Sequence, residues 1–156
     1  MRYPARRHPL WFERPVGRIM FVRELGSLGK VDVVKDPRYP GGFSVEFDLQ
    51  PKGVPQEKRV KISFSRSRPF DPHVQVDGPT DSPHRYPNGD LCMWYPFDPP
   101  ARRWNLKKGS AALVADISVH LLKEEWFRQR GEWVGDEIIH APLSPDSPMN
   151  DPKSMP

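Results

Sequence analysis

An α+β fold is predicted, with one helix near the front, a four-stranded antiparallel meander and a long helix behind it. Three observations predict it. Residues 42–49 and 59–65 alternate apolar and polar side chains, the period-two pattern of strands with one wet face. Leu113, Ile117 and Leu121 recur at the i, i+4, i+8 spacing of a single helical face. The chain also holds 20 prolines, more than a helical bundle tolerates, which fits short strands joined by stiff connections.

With 156 residues and 37% apolar content, one domain with one core is expected over residues 1–140. Residues 141–156 hold five prolines and read as a flexible tail. No apolar run is long enough to span a membrane and no basic-then-apolar leader opens the chain, so insertion and secretion are not expected. The single cysteine excludes an internal disulfide and a multi-cysteine zinc site, and fits a reducing cytoplasm. The scattered histidines do not show zinc-ligand spacing, and no cofactor is expected.

Along the chain, residues 1–13 are basic and broken by proline, with Leu10, Trp11 and Phe12 as an apolar anchor. Pro15 suits the first position of a helix, where its missing N–H is no loss. Phe21, Leu25 and Leu28 then share a face, and Gly26 and Gly29 end the helix. A strand over residues 18–23 is the competing reading. The strands follow at Val31–Val34, Gly42–Leu49, Arg59–Ser65 and His73–Val76. Trp104 precedes a helix that opens near Ser110, its expected N-cap, runs for four to five turns and stops before Gly131. Val114 and Leu122 broaden its apolar face, and His120 beside that face reads as packed or on the surface. Glu132–His140 fits either a short helix or an extended segment.

Charge is uneven. The net formal charge is +4, but residues 1–30 carry +5 and residues 131–156 carry −4. The basic front suits an acidic partner or nucleic acid, or is simply a solvated face. No aromatic platform is interleaved with its arginines, so nucleic-acid binding is not favoured.

The stretch with chemistry in it is Ser82-Pro83-His84-Arg85-Tyr86-Pro87-Asn88-Gly89-Asp90-Leu91-Cys92-Met93-Trp94-Tyr95. Asn88-Gly89 predicts a tight reversal just before the lone thiol of Cys92, with the imidazole of His84 eight residues upstream. A thiol fixed behind a turn and near an imidazole can act as a nucleophile. A lone cysteine is otherwise a small buried hydrophobe. The proline-dense Met93–Pro100 predicts a stiff aromatic loop in which Trp94 and Tyr95 shield the thiol, grip a substrate tail or simply pack.

This stretch resembles the active-site loop of ubiquitin-conjugating enzymes, in which a His-Pro-Asn triplet ends eight residues before a catalytic cysteine preceded by Asn-Gly-x-Ile/Leu. Asn88-Gly89-Asp90-Leu91-Cys92 matches the second half and Ser82-Pro83-His84 occupies the triplet, with His84 where the family has Asn. Arg68-Pro69-Phe70-Asp71-Pro72-His73-Val74 looks like a variant of the proline element that enters the family's fourth strand. The likeness is greatest to short bacterial relatives that accompany a cGAS-like nucleotide cyclase in CBASS antiphage operons, where a Tyr-Pro-x-Gly-x-Leu-Cys segment followed by Trp is similar to Tyr86–Trp94.

The resemblance implies two-step acyl transfer. Cys92 would take a protein C-terminus, that of the cyclase in this subfamily, as a thioester and pass it to an amine on a target. The first helix would carry the basic face on which an activating enzyme docks. His84 has three open roles: oxyanion donor, general base, or structural anchor of the loop through a backbone hydrogen bond. Both steps need the sulfur at the protein surface. A conjugating-fold adaptor without catalysis is the alternative, kept alive by His84 in place of Asn. A Cys-His hydrolase is weakened because no third residue at a diagnostic spacing orients the histidine. His140 is a further imidazole that nothing in the sequence places near the thiol.

Overall fold

The computed structural model describes residues 7–95 and 97–135. A 3-10 turn at Trp11–Glu13 leads into α1, Pro15–Gly26. Four strands follow, β1 at Val31–Val34, β2 at Phe43–Leu49, β3 at Lys58–Phe64 and β4 at His73–Val76. A second 3-10 turn, Leu106–Lys108, precedes α2, Ser110–Arg130. The strands pair in chain order as one antiparallel sheet, β1-β2-β3-β4. The predicted α+β class and its order of elements therefore hold. The proline-rich tail at 141–156 and the division before it lie outside the described residues, as does most of the Glu132–His140 segment.

Register places the sheet's apolar stripe. Val45 pairs with both Val33 and Ile62, and Ile62 pairs with Val74. The side chains of Val45, Val60, Ile62, Phe64 and Val74 are buried against Leu113, Val114, Ile117 and Leu121 of α2. Each such side chain contributes about 1.5–3 kcal/mol by leaving water. Phe21 and Leu25 of α1 close the core at one end. There the Trp11 ring meets Phe12, Phe43 and Phe64 edge-on, with centroids 5.4, 5.6 and 5.0 Å away. Edge-to-face packing of this kind adds to the area buried. The Trp11 indole N–H also donates to the carbonyl of Pro69, tying the front of the chain to the entrance of β4.

Four expectations are corrected. Leu28 does not share the face of Phe21 and Leu25: the helix stops at Gly26, and Leu28 is 56% exposed. Ser110 is not the cap of α2. Gly109 holds that position, and the Ser110 hydroxyl instead donates to the Phe21 carbonyl at 2.8 Å, joining the two helices. At 21 residues α2 makes about six turns, longer than predicted, and Leu122 faces outward.

The outer face of the sheet is polar as expected along most of its length. Arg59 reaches Asp32 at 2.8 Å, Asp48 at 3.2 Å and Glu46 at 3.3 Å. At its other end that face is buried rather than wet. The Ser44 hydroxyl donates to Ser63, Ser63 donates to the Asp36 carboxylate at 3.1 Å, and Arg38 forks onto the same carboxylate. The chain reversal at Asp36-Pro37 folds over two serines that would otherwise face water, and the hydroxyls are satisfied within the network.

Gly17 marks a close approach. A Cβ added there would stand 2.1 Å from the carbonyl oxygen of Trp11. Helix propensity alone favours alanine over glycine by about 1 kcal/mol. The clash reverses the sign, so Gly17→Ala is expected to destabilise by about 1–3 kcal/mol, as overpacking does. Urea unfolding followed by tryptophan fluorescence measures it.

Candidate active site on the cysteine hairpin

The stretch from Ser82 to Cys92 folds into a short hairpin. Its turn is Tyr86-Pro87-Asn88-Gly89, closed by the Gly89 N–H donating to the Tyr86 carbonyl at 2.8 Å. Pro87 and Asn88 sit at the centre of the turn, and Gly89 follows at φ +88°, a value that favours glycine. The predicted reversal is present, one residue earlier than an Asn-Gly centre would put it. The Asn88 side-chain carbonyl accepts from the Asp90 N–H at 3.0 Å and stiffens the tip. Below the turn, Tyr86 N–H donates to the Asp90 carbonyl, Arg85 pairs with Leu91, and Cys92 N–H donates to the His84 carbonyl at 3.0 Å. Leu91 N–H donates to Val74 and docks the hairpin on the edge of β4.

This pairing brings His84 and Cys92 side by side at the main chain. Their side chains have different surroundings. The His84 ring packs over Trp133, with centroids 4.4 Å apart, and His120 of α2 meets the same indole at 5.3 Å. The Cys92 thiol lies within electrostatic reach of the Tyr86 phenol. Cys92 is 6% exposed, so the expectation of a sulfur at the surface is corrected. The thiol is nonetheless not part of the continuous apolar core of the described residues. Burial pushes the Cys92 thiol up, and the hydrogen bond from Tyr86 pulls it partly back. The Tyr86 phenol is itself pushed up to about 12, first by burial and then by the thiol.

Two carboxylates hold the hairpin from opposite sides. On one, Asp90 accepts from Arg38 at 3.1 Å, and Arg38 in turn grips Asp36. On the other, Glu124 of α2 accepts from Ser82 at 2.6 Å and from Arg85 at 2.5 and 2.9 Å. Burial opposes the charge on Glu124, but the nearby His120 ring and hydrogen bonds from Arg85 and Ser82 hold its carboxyl well below the usual carboxylate range.

Beside the hairpin lies a cleft of about 600 Å³ lined by Tyr39, His73, Tyr86, Trp94, Arg103 and Trp104, among others. Tyr86 thus borders the cleft and lies near the thiol. Trp94 lines the cleft and packs against the core. Tyr95 N–H donates to Asp98 at 3.0 Å, which stiffens the loop after the cysteine. Among the described residues no cluster of His, Cys, Asp and Glu could hold a metal ion, and no helix is long and apolar enough to cross a membrane. His140 lies outside the described residues.

Residues 32–141, 110 of the 156, match the family model of the Type II CBASS E2 protein. The chain belongs to that family. No curated protein and no solved structure matches it. The matched segment of this CBASS E2 protein runs from β1 through the cysteine hairpin and the whole of α2. The resemblance stated from the cysteine stretch therefore names the right family.

Sequence reasoning missed three residues of this CBASS E2 site: Tyr86, Arg85 and Glu124. Glu124 had a signal. It lies seven residues after Ile117 and three after Leu121, on the buried face of α2, where a carboxylate needs a partner. Tyr86 heads the segment that resembles the bacterial relatives, but its nearness to Cys92 depends on how the hairpin closes. The pH profile of Cys92 alkylation by iodoacetamide is expected to have its midpoint above that of an ordinary cysteine. Tyr86→Phe removes a group that favours the thiolate, so its midpoint should move higher still.

Proposed function

We propose that Cys92 carries a protein C-terminus as a thioester and transfers it to an amine of a target, the C-terminus being that of the cGAS-like cyclase. The observation that carries this reading is the chain's single thiol, set at the foot of a hairpin inside the family match and near a phenol. In the first step the Cys92 thiolate attacks an activated carboxyl carbon, held as an adenylate or as a thioester on an activating partner. The new C–S bond forms as the bond to the leaving group breaks. In the second step a target amine attacks, the C–S bond breaks, the thiolate returns and the amine loses its proton. Sulfur suits both steps as nucleophile and as leaving group.

Each step passes through an oxyanion. The Tyr86 hydroxyl serves this reading as the donor to it, a contribution of about 3–4 kcal/mol for one well-aimed donor. The cleft beyond it has the size and aromatic lining for the extended end of the donor chain. His84 serves this reading first as the carbonyl that fixes Cys92, with its ring against Trp133.

A second reading has its own support. A thiol 6% exposed, behind a triplet that lacks the family's Asn, fits an adaptor that binds the cyclase without bonding to it.

The protein is to be incubated with the cyclase and an activating system, and resolved on gels with and without reductant. A reductant-labile adduct is expected, replaced by a reductant-stable oxyester in Cys92→Ser. Absence of any adduct, with full defence by Cys92→Ala, leaves the adaptor. His84→Asn is expected to retain transfer, and Tyr86→Phe to slow it about 100-fold, in line with loss of one oxyanion donor.

A further inference from the structure

We infer that Glu124 is a positioning residue for the cysteine, acting from α2 through Arg85 and Ser82 to set the hairpin that carries Cys92. Only one bridge, Arg85 with Leu91, and a few main-chain hydrogen bonds define that hairpin, and its backbone alone is a weak mount for a reacting atom. Side chains supply the rest. Glu124 is 0% exposed, and both of its oxygens are engaged. Ser82 Oγ donates to Oε1 at the root of the first leg. Arg85 forks onto both oxygens at 2.5 and 2.9 Å from the middle of that leg. The third arm of the same guanidinium, Nη1, donates to the Gly89 carbonyl at 2.7 Å, at the end of the turn. One carboxylate thereby fixes root, leg and tip. Cys92 is one residue beyond Leu91, the partner of Arg85, and its N–H bonds to His84, the residue before Arg85.

The geometry of the contacts distinguishes this from ordinary core support. A residue that only stabilised α2 would pack along the helix face, as Ile117 does. Glu124 instead directs its bonds to a segment 39 to 42 positions away in sequence. Arg128, at 3.4 Å, and His120, with Nε2 at 3.6 Å, back the carboxylate from its own helix. A planar, two-point contact between guanidinium and carboxylate fixes direction as well as distance, which a lysine would not do.

This inference rests on the reading of Cys92 as the acyl carrier, but its test does not need acyl transfer. Cys92 alkylation by iodoacetamide is measured across pH in wild type, Glu124→Gln and Ile117→Ala, alongside thermal melting. Gln keeps the shape and one acceptor but loses the charge that holds the fork. Freed of its clamp, the hairpin admits water to the thiol. Because burial is the larger influence on Cys92, the expected result is alkylation at least fivefold faster, with a midpoint shifted toward that of an ordinary cysteine. Ile117→Ala, with a comparable loss of melting temperature, should leave rate and midpoint as in wild type. Should Glu124→Gln not fold, Ser82→Ala removes one arm of the clamp and is expected to move both quantities the same way by less. A wild-type profile in the clamp variants, or the same change in Ile117→Ala, overturns the assignment. If the profile shifts as expected and no thioester ever forms, the positioning role stands and the carrier role falls.

Discussion

A carboxylate buried on a helix face has to be neutralised there, and in this protein the neutralising charge comes from the loop that bears the cysteine. Glu124 has no access to water, so the Arg85 guanidinium, backed by Arg128, is its counter-ion in place of solvent. Removing one partner of such a pair costs about 3–5 kcal/mol, because the other is left charged and dry. The hairpin cannot drift from α2 without incurring that cost. The same requirement that makes Glu124 expensive to bury therefore makes the hairpin's position specific. On the far side, Asp90 does the equivalent through Arg38 and Asp36, which anchors the hairpin to the β1–β2 connection. Between these two carboxylates the turn has little freedom to tilt.

The rest of the fold supplies a firm base for that arrangement. The sheet packs its Val45, Ile62 and Val74 row against the buried face of α2. Leu91 then links hairpin to sheet through the Val74 carbonyl while Arg85 links it to the helix. The thiol sits where those two attachments meet, and its low exposure follows from being drawn in from both sides.

Much of the fold was legible in the sequence because period and punctuation agree. The alternation of Phe43, Val45 and Phe47 and of Val60, Ile62 and Phe64 places two strands to within a residue, and Pro15 marks the start of α1. What was not legible depends on contacts between distant segments. Ser44 and Ser63 read as wet until the Asp36 turn covers them. Ser110 reads as a cap until its hydroxyl finds Phe21, 89 residues away. At the site, Asn88-Gly89 and Cys92 fixed the motif, while the burial of the thiol, its phenol partner and the clamp required the hairpin to be closed against α2. A local pattern names the residues of such a loop but not the direction in which each one points.

The Trp11 contacts bear on where this protein can be cut. Family likeness starts at residue 32, yet the indole twenty-one positions earlier roofs Phe43 and Phe64 and donates to Pro69. The start of the family match and the start of the folding unit are thus different lines on the chain. A fragment trimmed to the former would leave the sheet's aromatic end bare to solvent, and the loop into β4 without its tether.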